Sequence, residues 1–125
     1  MTEPSFTSIE RAIDVGQVVD ILKTYGITQR EIARATGAHP RSVANWKARS
    51  TIRSDHEERL RLLQFVVLVL SEVLRPVAVG QWFRTRNGLL DNRPPLAALE
   101  EGADDAVVRA AVAYAEGAPV LGRGR

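Results

Sequence analysis

The sequence predicts an all-α protein, and three observations carry that expectation. Apolar residues recur at helical rather than alternating spacing, as in Ile9, Ala12, Ile13, Val15, Val19 and Leu22. Three hydroxyl residues stand three positions before a glutamate, Thr7–Glu10, Thr28–Glu31 and Ser54–Glu57. In that spacing each partner can satisfy a backbone N–H at a helix start, the capping-box arrangement. Glycines and prolines then fall between the helical stretches, at Gly26, Gly37, Pro40, Pro76, Gly102 and Gly117.

In chain order, residues 1–6 read as frayed, and a helix is expected from about Ser8 to Thr24, closed by Gly26. Asp14 followed by Gln17 offers a second start, and Gly16 weakens the middle, so this is one bent helix or two short ones. Thr28 to Lys47 then reads as two short helices joined by a tight turn. Thr28 and Glu31 open the first, Gly37 suits a turn with positive φ, and Pro40 suits the first position of the second, where its missing N–H costs nothing. Ser54 with Glu57 opens a long helix to about Leu74. Its run Leu62-Leu63-Gln64-Phe65-Val66-Val67-Leu68-Val69-Leu70 is apolar on nearly every face, which demands burial all round. So short a chain can leave part of that run uncovered, so a dimer interface through Phe65, Val66, Val69, Leu70 and Val73 is expected, with purely internal burial as the alternative. Pro76 opens a helix to about Arg84, and Arg86-Asn87-Gly88 marks a turn. Leu89 and Leu90 read as exposed loop leucines. Pro95 starts a short helix stopped by Gly102, and Asp104 caps a last helix to Ala115, after which Gly117 to Arg125 forms a flexible tail.

The totals exclude several classes. The chain has 125 residues, enough for one compact domain with an adequate core. With no cysteine it has neither disulfides nor thiolate metal ligands, and its two histidines stand apart from any carboxylate cluster, so no metal site is expected. Met1 to Ser5 lacks the basic and apolar regions of a signal peptide, and Phe65–Leu70 is too short to span a bilayer, so a soluble cytoplasmic protein is expected. No Ser/His/Asp or Cys/His set and no phosphate-cradling glycine loop is present. An enzyme is therefore not expected, and neither is a cofactor.

Charge is concentrated. The net charge is +2, yet residues 28–53 hold Arg30, Arg34, Arg41, Lys47, Arg49 and Arg53 against Glu31 alone. Residues 1–27 and 94–125 are acidic on balance. A basic block on the two-helix stretch is the electrostatic footprint of a phosphate-binding surface. On the second short helix Val43 and Trp46 share an inner face, which leaves Arg41, Ala44, Asn45 and Ala48 outside. An amide suits adenine, an arginine suits guanine or phosphate, and alanine lets a helix approach closely. The alternative is a plain αα-hairpin inside a bundle.

Thr28-Gln29, Glu31, Ala33, Gly37, Val43 and Trp46 resemble the phage-repressor (Xre-type) helix-turn-helix in their spacing. That family usually has serine or threonine as the second-helix cap, where this chain has His39. The resemblance implies operator DNA as a partner, contacted by Gln29, His39, Arg41, Ser42, Asn45, Lys47, Arg49 and Arg53. Farther on, Trp82-Phe83-Arg84, Asn87, Leu90, Pro95-Leu96, Leu99, Gly102 and Val108 resemble the toxin-binding domain of the Xre/MbcA/ParS antitoxins. The family often has proline where this chain has Arg86, and glycine where it has Asp91-Asn92. Together the two resemblances imply an N-terminal helix-turn-helix DNA-binding domain (1–54), a long connecting and dimerisation helix (55–75) and a small helical toxin-binding domain with a tail (76–125). The implied partner is a RES-domain toxin, an NAD⁺-consuming enzyme, met by Trp82, Phe83, Arg84, Arg86, Asn87, Leu90, Arg123 and Arg125. A homodimer or a larger hetero-oligomer with the toxin is implied too. The competing expectation is a stand-alone regulator that binds DNA and has no toxin partner.

Overall fold

The computed structural model describes residues 15–47 and 51–117. Among these residues the chain is helical throughout, with no strand beyond an isolated antiparallel bridge between Asn87 and Arg93. The described part of α1 covers 15–24. It is followed by α2 (Gln29–Thr36), α3 (Pro40–Lys47), α4 (Ser54–Ser71), α5 (Pro76–Arg84), a 3₁₀ turn (Gly88–Leu90), α6 (Pro95–Glu100) and α7 (Asp104–Ala115). The Thr7–Glu10 pair, Asp14 and the tail after Gly117 lie outside the described residues.

Local chemistry explains most of the boundaries. Val15, Val18, Val19 and Leu22 are buried at i, i+3, i+4 and i+7, so α1 turns one stripe inward. The Thr28–Glu31 capping box forms in both directions: the Thr28 hydroxyl accepts from the Glu31 N–H at 3.1 Å, and the Glu31 carboxylate accepts from the Thr28 N–H at 2.9 Å. Gly37 ends α2 at φ 82°, its N–H bonded to the Ala33 carbonyl at 2.9 Å, a left-handed geometry that disfavours a Cβ.

The second expected capping box does not form. Helix α4 takes Arg53 as its N-cap residue, without a side-chain cap, and Ser54 is already helical. The Glu57 N–H bonds the Arg53 carbonyl at 2.9 Å, so the ladder begins one residue early, and the Glu57 carboxylate turns to Arg61 at 3.2 Å. Helix α4 also stops at Ser71 rather than Leu74. In the last helix Ala103 is the N-cap residue, and Asp104 and Asp105 lie in the first turn, where the helix dipole favours acidic groups.

The helices share one hydrophobic core, built by Leu22, Ile32, Val43, Trp46, Leu60, Leu63, Leu70, Phe83, Leu90, Leu99 and Val107 among others. Helix α2 packs against α3, α4 and α6, while α7 packs on α4. The two short helices and the C-terminal third are thus joined by direct packing as well as through α4. Polar ties follow the same seams. Arg34 of α2 meets Glu100 of α6 at 2.8 Å, and Arg59 of α4 donates to the Leu99 carbonyl and reaches Asp104 at 3.4 Å. Among the described residues no helix is long and apolar enough to cross a membrane.

Candidate functional site

Two surfaces collect the residues singled out above. The first is the outer side of α3. Its start is fixed twice: Gln29 donates its side-chain amide to the Pro40 carbonyl at 2.9 Å, and His39 accepts the Arg41 N–H on Nδ1 at 3.1 Å. The imidazole therefore does the capping work that a serine or threonine hydroxyl ordinarily does, and Gln29 is half-buried in a positioning role. Val43 and Trp46 face the core, and the Trp46 ring stands 6.0 Å from that of His56, which couples α3 to α4. Arg41, Ala44 and Asn45 are exposed on the opposite side, with Ser42 half-buried between the faces. Arg53 is exposed and holds Asp55 at 3.0 Å. The side chain of Lys47, and all of Ala48 and Arg49, lie outside the described residues.

The second surface is a cleft of about 500 Å³ between α5, the turn that follows it and α7. Leu74, Ala78, Trp82 and Tyr114 give it an apolar side; Gln81, Thr85, Arg86, Asn87 and Asn92 give it a polar one. The rim is shaped by Asn87, whose Oδ1 accepts the Leu89 N–H at 2.9 Å while its backbone bridges Arg93. Asp91 and Asn92 both take left-handed conformations, at φ 56° and 64°, so these two residues reproduce the backbone that a glycine would favour. Trp82, Arg86 and Asn87, singled out in the sequence, meet here. Gln81, Thr85, Asn92 and Tyr114 were missed, although Tyr114 continues the inward stripe Val107, Ala110, Ala111 at helical spacing.

Other expected contact residues are placed differently. Phe83 and Leu90 are each only 2% exposed and belong to the core, so neither offers a surface to a partner. Leu90 is drawn inward by the 3₁₀ turn, which leaves Leu89 outside. Phe83 packs edge-on against Trp82, ring centroids 5.2 Å apart at 90°. Arg84 faces α2: its guanidinium holds Glu31 at 2.7 and 2.8 Å and also donates to the Gly26 carbonyl. The hydrogen bonds from Arg84 hold the Glu31 carboxyl below its ordinary pKa against the opposing pull of burial, and Arg84 is raised in return. Gly80 makes the approach of α5 possible. A Cβ there would stand 2.5 Å from the Tyr25 carbonyl oxygen. Arg123 and Arg125 lie outside the described residues.

No protein-family model matches the chain. Individual relatives do. A probable mycobacterial cidal antitoxin of Mycobacterium tuberculosis, Rv3188, is 35% identical over 113 residues, spanning 90% of this chain and 97% of that one. The mycobacterial cidal antitoxin MbcA of Mycobacterium bovis is 32% identical over 97 residues, 77% of this chain and 86% of its own length. The chain belongs to the mycobacterial cidal antitoxin family. Its fold agrees: the crystal structure of the M. tuberculosis MbcT–MbcA toxin–antitoxin complex contains a chain that superposes with a TM-score of 0.67 at 28% identity, covering 95% of this chain and all of that one.

This antitoxin-family chain carries one more surface of note, the outer side of α4. Of the five residues expected at a dimer interface, Val66 and Leu70 are fully buried in the chain's own core and cannot reach another copy. The helix is wound so that 60, 63, 66, 67 and 70 face inward. Phe65 and Val73 remain 49% exposed, as does Leu68, and Val69 is half-buried at the margin.

Proposed function

We propose that the chain is an antitoxin that binds and neutralises a RES-domain, NAD⁺-consuming toxin by covering its active-site cleft, and that it represses its own operon by binding operator DNA. Membership of the cidal antitoxin family carries the first half of this reading. The gathering of Trp82, Arg86 and Asn87 around one cleft supports placing toxin contacts there, with an aromatic floor for an apolar side chain and a rim cation for an acidic one. In the proposed complex the chain itself performs no chemistry: a toxin whose cleft is walled off cannot admit a dinucleotide. Arg123 and Arg125 are proposed to address the same cleft from the tail, and the assembly is proposed to be a homodimer or a larger hetero-oligomer with the toxin, in the cytoplasm.

The DNA-binding half rests on a different observation. Arg41 and Asn45 stand exposed on α3, four residues apart on one face, with the alanine between them exposed as well. That is a face able to enter a major groove. The same observation favours the second reading, a helix-turn-helix repressor without a toxin partner.

Co-expression with the product of the neighbouring gene, followed by co-purification and an NAD⁺-consumption assay, separates the two. A stable complex whose activity is silent, and recovers when the chain is removed, is the expected result. No complex, together with tight operator binding, leaves the repressor alone.

A further inference from the structure

The rim of the cleft carries a reactive pair that its use as a contact surface leaves unexplained. Asn87 is followed by Gly88, and of the chain's three asparagines, Asn45, Asn87 and Asn92, it alone precedes a glycine. With no Cβ beside it, the Gly88 nitrogen is unhindered, and the backbone around it turns freely in an open chain. A backbone nitrogen so placed can attack the side-chain amide of the residue before it.

That step balances with water as its only co-reactant. Base takes the proton of the Gly88 N–H, and the nitrogen attacks Asn87 Cγ. A C–N bond forms, the bond from Cγ to Nδ2 breaks, and Nδ2 takes up a proton and leaves as ammonia. Water then opens the resulting five-membered succinimide. Opening at Cγ gives aspartate in the ordinary chain. Opening at the backbone carbonyl gives isoaspartate, with the chain rerouted through Cβ and Cγ.

The fold holds this reaction off. Asn87 Oδ1 accepts the Leu89 N–H at 2.9 Å, so the side chain is tied one residue beyond the nitrogen that would attack it. Ring closure needs Cβ and the Gly88 nitrogen eclipsed about the Cα–C bond, and the ψ of 124° at Asn87 keeps them far from that. Three backbone bonds lock the residue further. Its N–H donates to the Arg93 carbonyl at 3.1 Å, and its carbonyl accepts from Leu90 at 2.9 Å and from Asn92 at 3.0 Å. Asn87 is half-buried but Gly88 is exposed, so water and base reach the pair once the turn opens. The two products differ in what they keep. Aspartate retains the oxygen that caps Leu89 and the whole backbone. Isoaspartate adds a carbon to the chain and makes the former carbonyl a side-branch carboxylate, so the bonds from Leu90 and Asn92 cannot both survive.

We infer that Asn87–Gly88 is a site of spontaneous deamidation, held off by the 3₁₀ turn and released when that turn opens, and that isoaspartate formed there dismantles the cleft rim for good. The closed turn thus sets the working life of the cleft, whatever occupies it.

The full-length chain, aged in mildly alkaline buffer with and without guanidinium chloride, tests this. Peptide mapping by mass spectrometry locates the conversion, and labelling with isoaspartyl methyltransferase scores isoaspartate. In denaturant Asn87 is expected to convert ahead of Asn45 and Asn92. In the folded chain its conversion should be at least about tenfold slower, the factor that an opening cost of about 1.4 kcal/mol gives. Asn92→Val puts a β-branched residue at a left-handed position of the exposed rim and leaves the Asn87–Gly88 pair and the core unchanged. It should speed conversion in the folded chain roughly fivefold. Asn87→Asp, one product made directly, should melt with the unmodified chain. Isoaspartyl chains separated after refolding should melt lower, because the turn seats Leu90 in the core. Equal rates with and without denaturant overturn the protection by the turn, and so does an Asn92→Val chain of unchanged circular dichroism that ages no faster. Conversion of another asparagine before Asn87 overturns the site. Isoaspartyl chains that melt like the unmodified ones overturn the damage to the rim.

Discussion

Glu31 and Arg84 are 53 residues apart in sequence and 2.7 Å apart in space, and the same glutamate closes the cap of α2 on Thr28. One carboxylate thus fixes both the start of the first short helix and the approach of α5. Arg84→Ala is expected to cost about 1 kcal/mol, because the pair is bidentate but partly solvated. Glu31→Ala should cost more, about 1–2 kcal/mol, since the capping bond is lost with the ion pair. Urea titration of both variants tests the order; equal costs would mean that the cap contributes nothing.

The same pair sets a dependence on acid. Glu31 has a folded pKa below its unfolded value, near 4.3 for an ordinary glutamate. Its contribution is therefore complete above that unfolded value and lost as pH falls through the lower, folded one. Melting temperature measured from pH 6 down to pH 2.5 should fall more steeply for the unmodified chain than for Glu31→Gln. Parallel curves would show that Glu31 titrates alike in both states.

Gly80→Ala is expected to destabilise the chain by about 1–3 kcal/mol, the scale of overpacking, although alanine is the better helix former. The added methyl meets a backbone oxygen of the Tyr25 turn, which cannot swing aside as a long side chain can. Thermal denaturation reads the effect, and a stabilised variant would mean that α5 slides freely on that turn.

Arg41→Ala and Asn45→Ala should each weaken operator binding by about 1–3 kcal/mol and relax the choice of base at one position. Arg53→Ala should instead reduce the salt slope of log affinity by about 0.9, one phosphate contact, with base preference intact. Fluorescence anisotropy across a salt series distinguishes the two behaviours. Wild-type affinity in both α3 variants would take that helix out of the groove.

Arg86→Glu should weaken the complex with the toxin at least tenfold with no change in melting temperature, because Arg86 is exposed at the cleft rim and not in the core. Phe83→Ala is the contrast. It should unfold the chain, by about 3–5 kcal/mol, before it reports on any partner. Calorimetric titration of the two variants, with a melt of each, separates contact from packing.

Much of the fold was legible because it is written locally. The Thr28–Glu31 box, Gly37 and Pro40 each act within a few residues of themselves, and the helices they delimit are in place. The errors have local causes too. The Ser54–Glu57 spacing was right for a cap, but Arg53 took the capping position and Arg61 took the glutamate. The site was harder to read. Trp82 and Phe83 are adjacent, equally aromatic and both buried in the core, and only the packing of α5 leaves Trp82 an edge on the cleft. Leu89 and Leu90 differ in the same way. Arg84 is expected from the resemblance at the toxin contact, but its partner Glu31 lies on α2, a distance that periodicity cannot span. The run in α4 is apolar on nearly every face in sequence, which does not say which residues stay uncovered; the structure buries Leu63, Val66, Val67 and Leu70 and leaves Phe65 and Leu68 half-exposed.

Because α5 and α6 rest on α2 and on the Tyr25 turn, the C-terminal third has no mounting surface of its own. Chimeras that graft residues 76–117 of one relative onto the N-terminal half of another will fail unless Glu31, Arg34 and Arg59, or fitting substitutes, travel with the insert. Lineages of such proteins are then expected to change partners by single replacements around the cleft, at Gln81, Thr85, Arg86 and Asn92, and not by recombining halves.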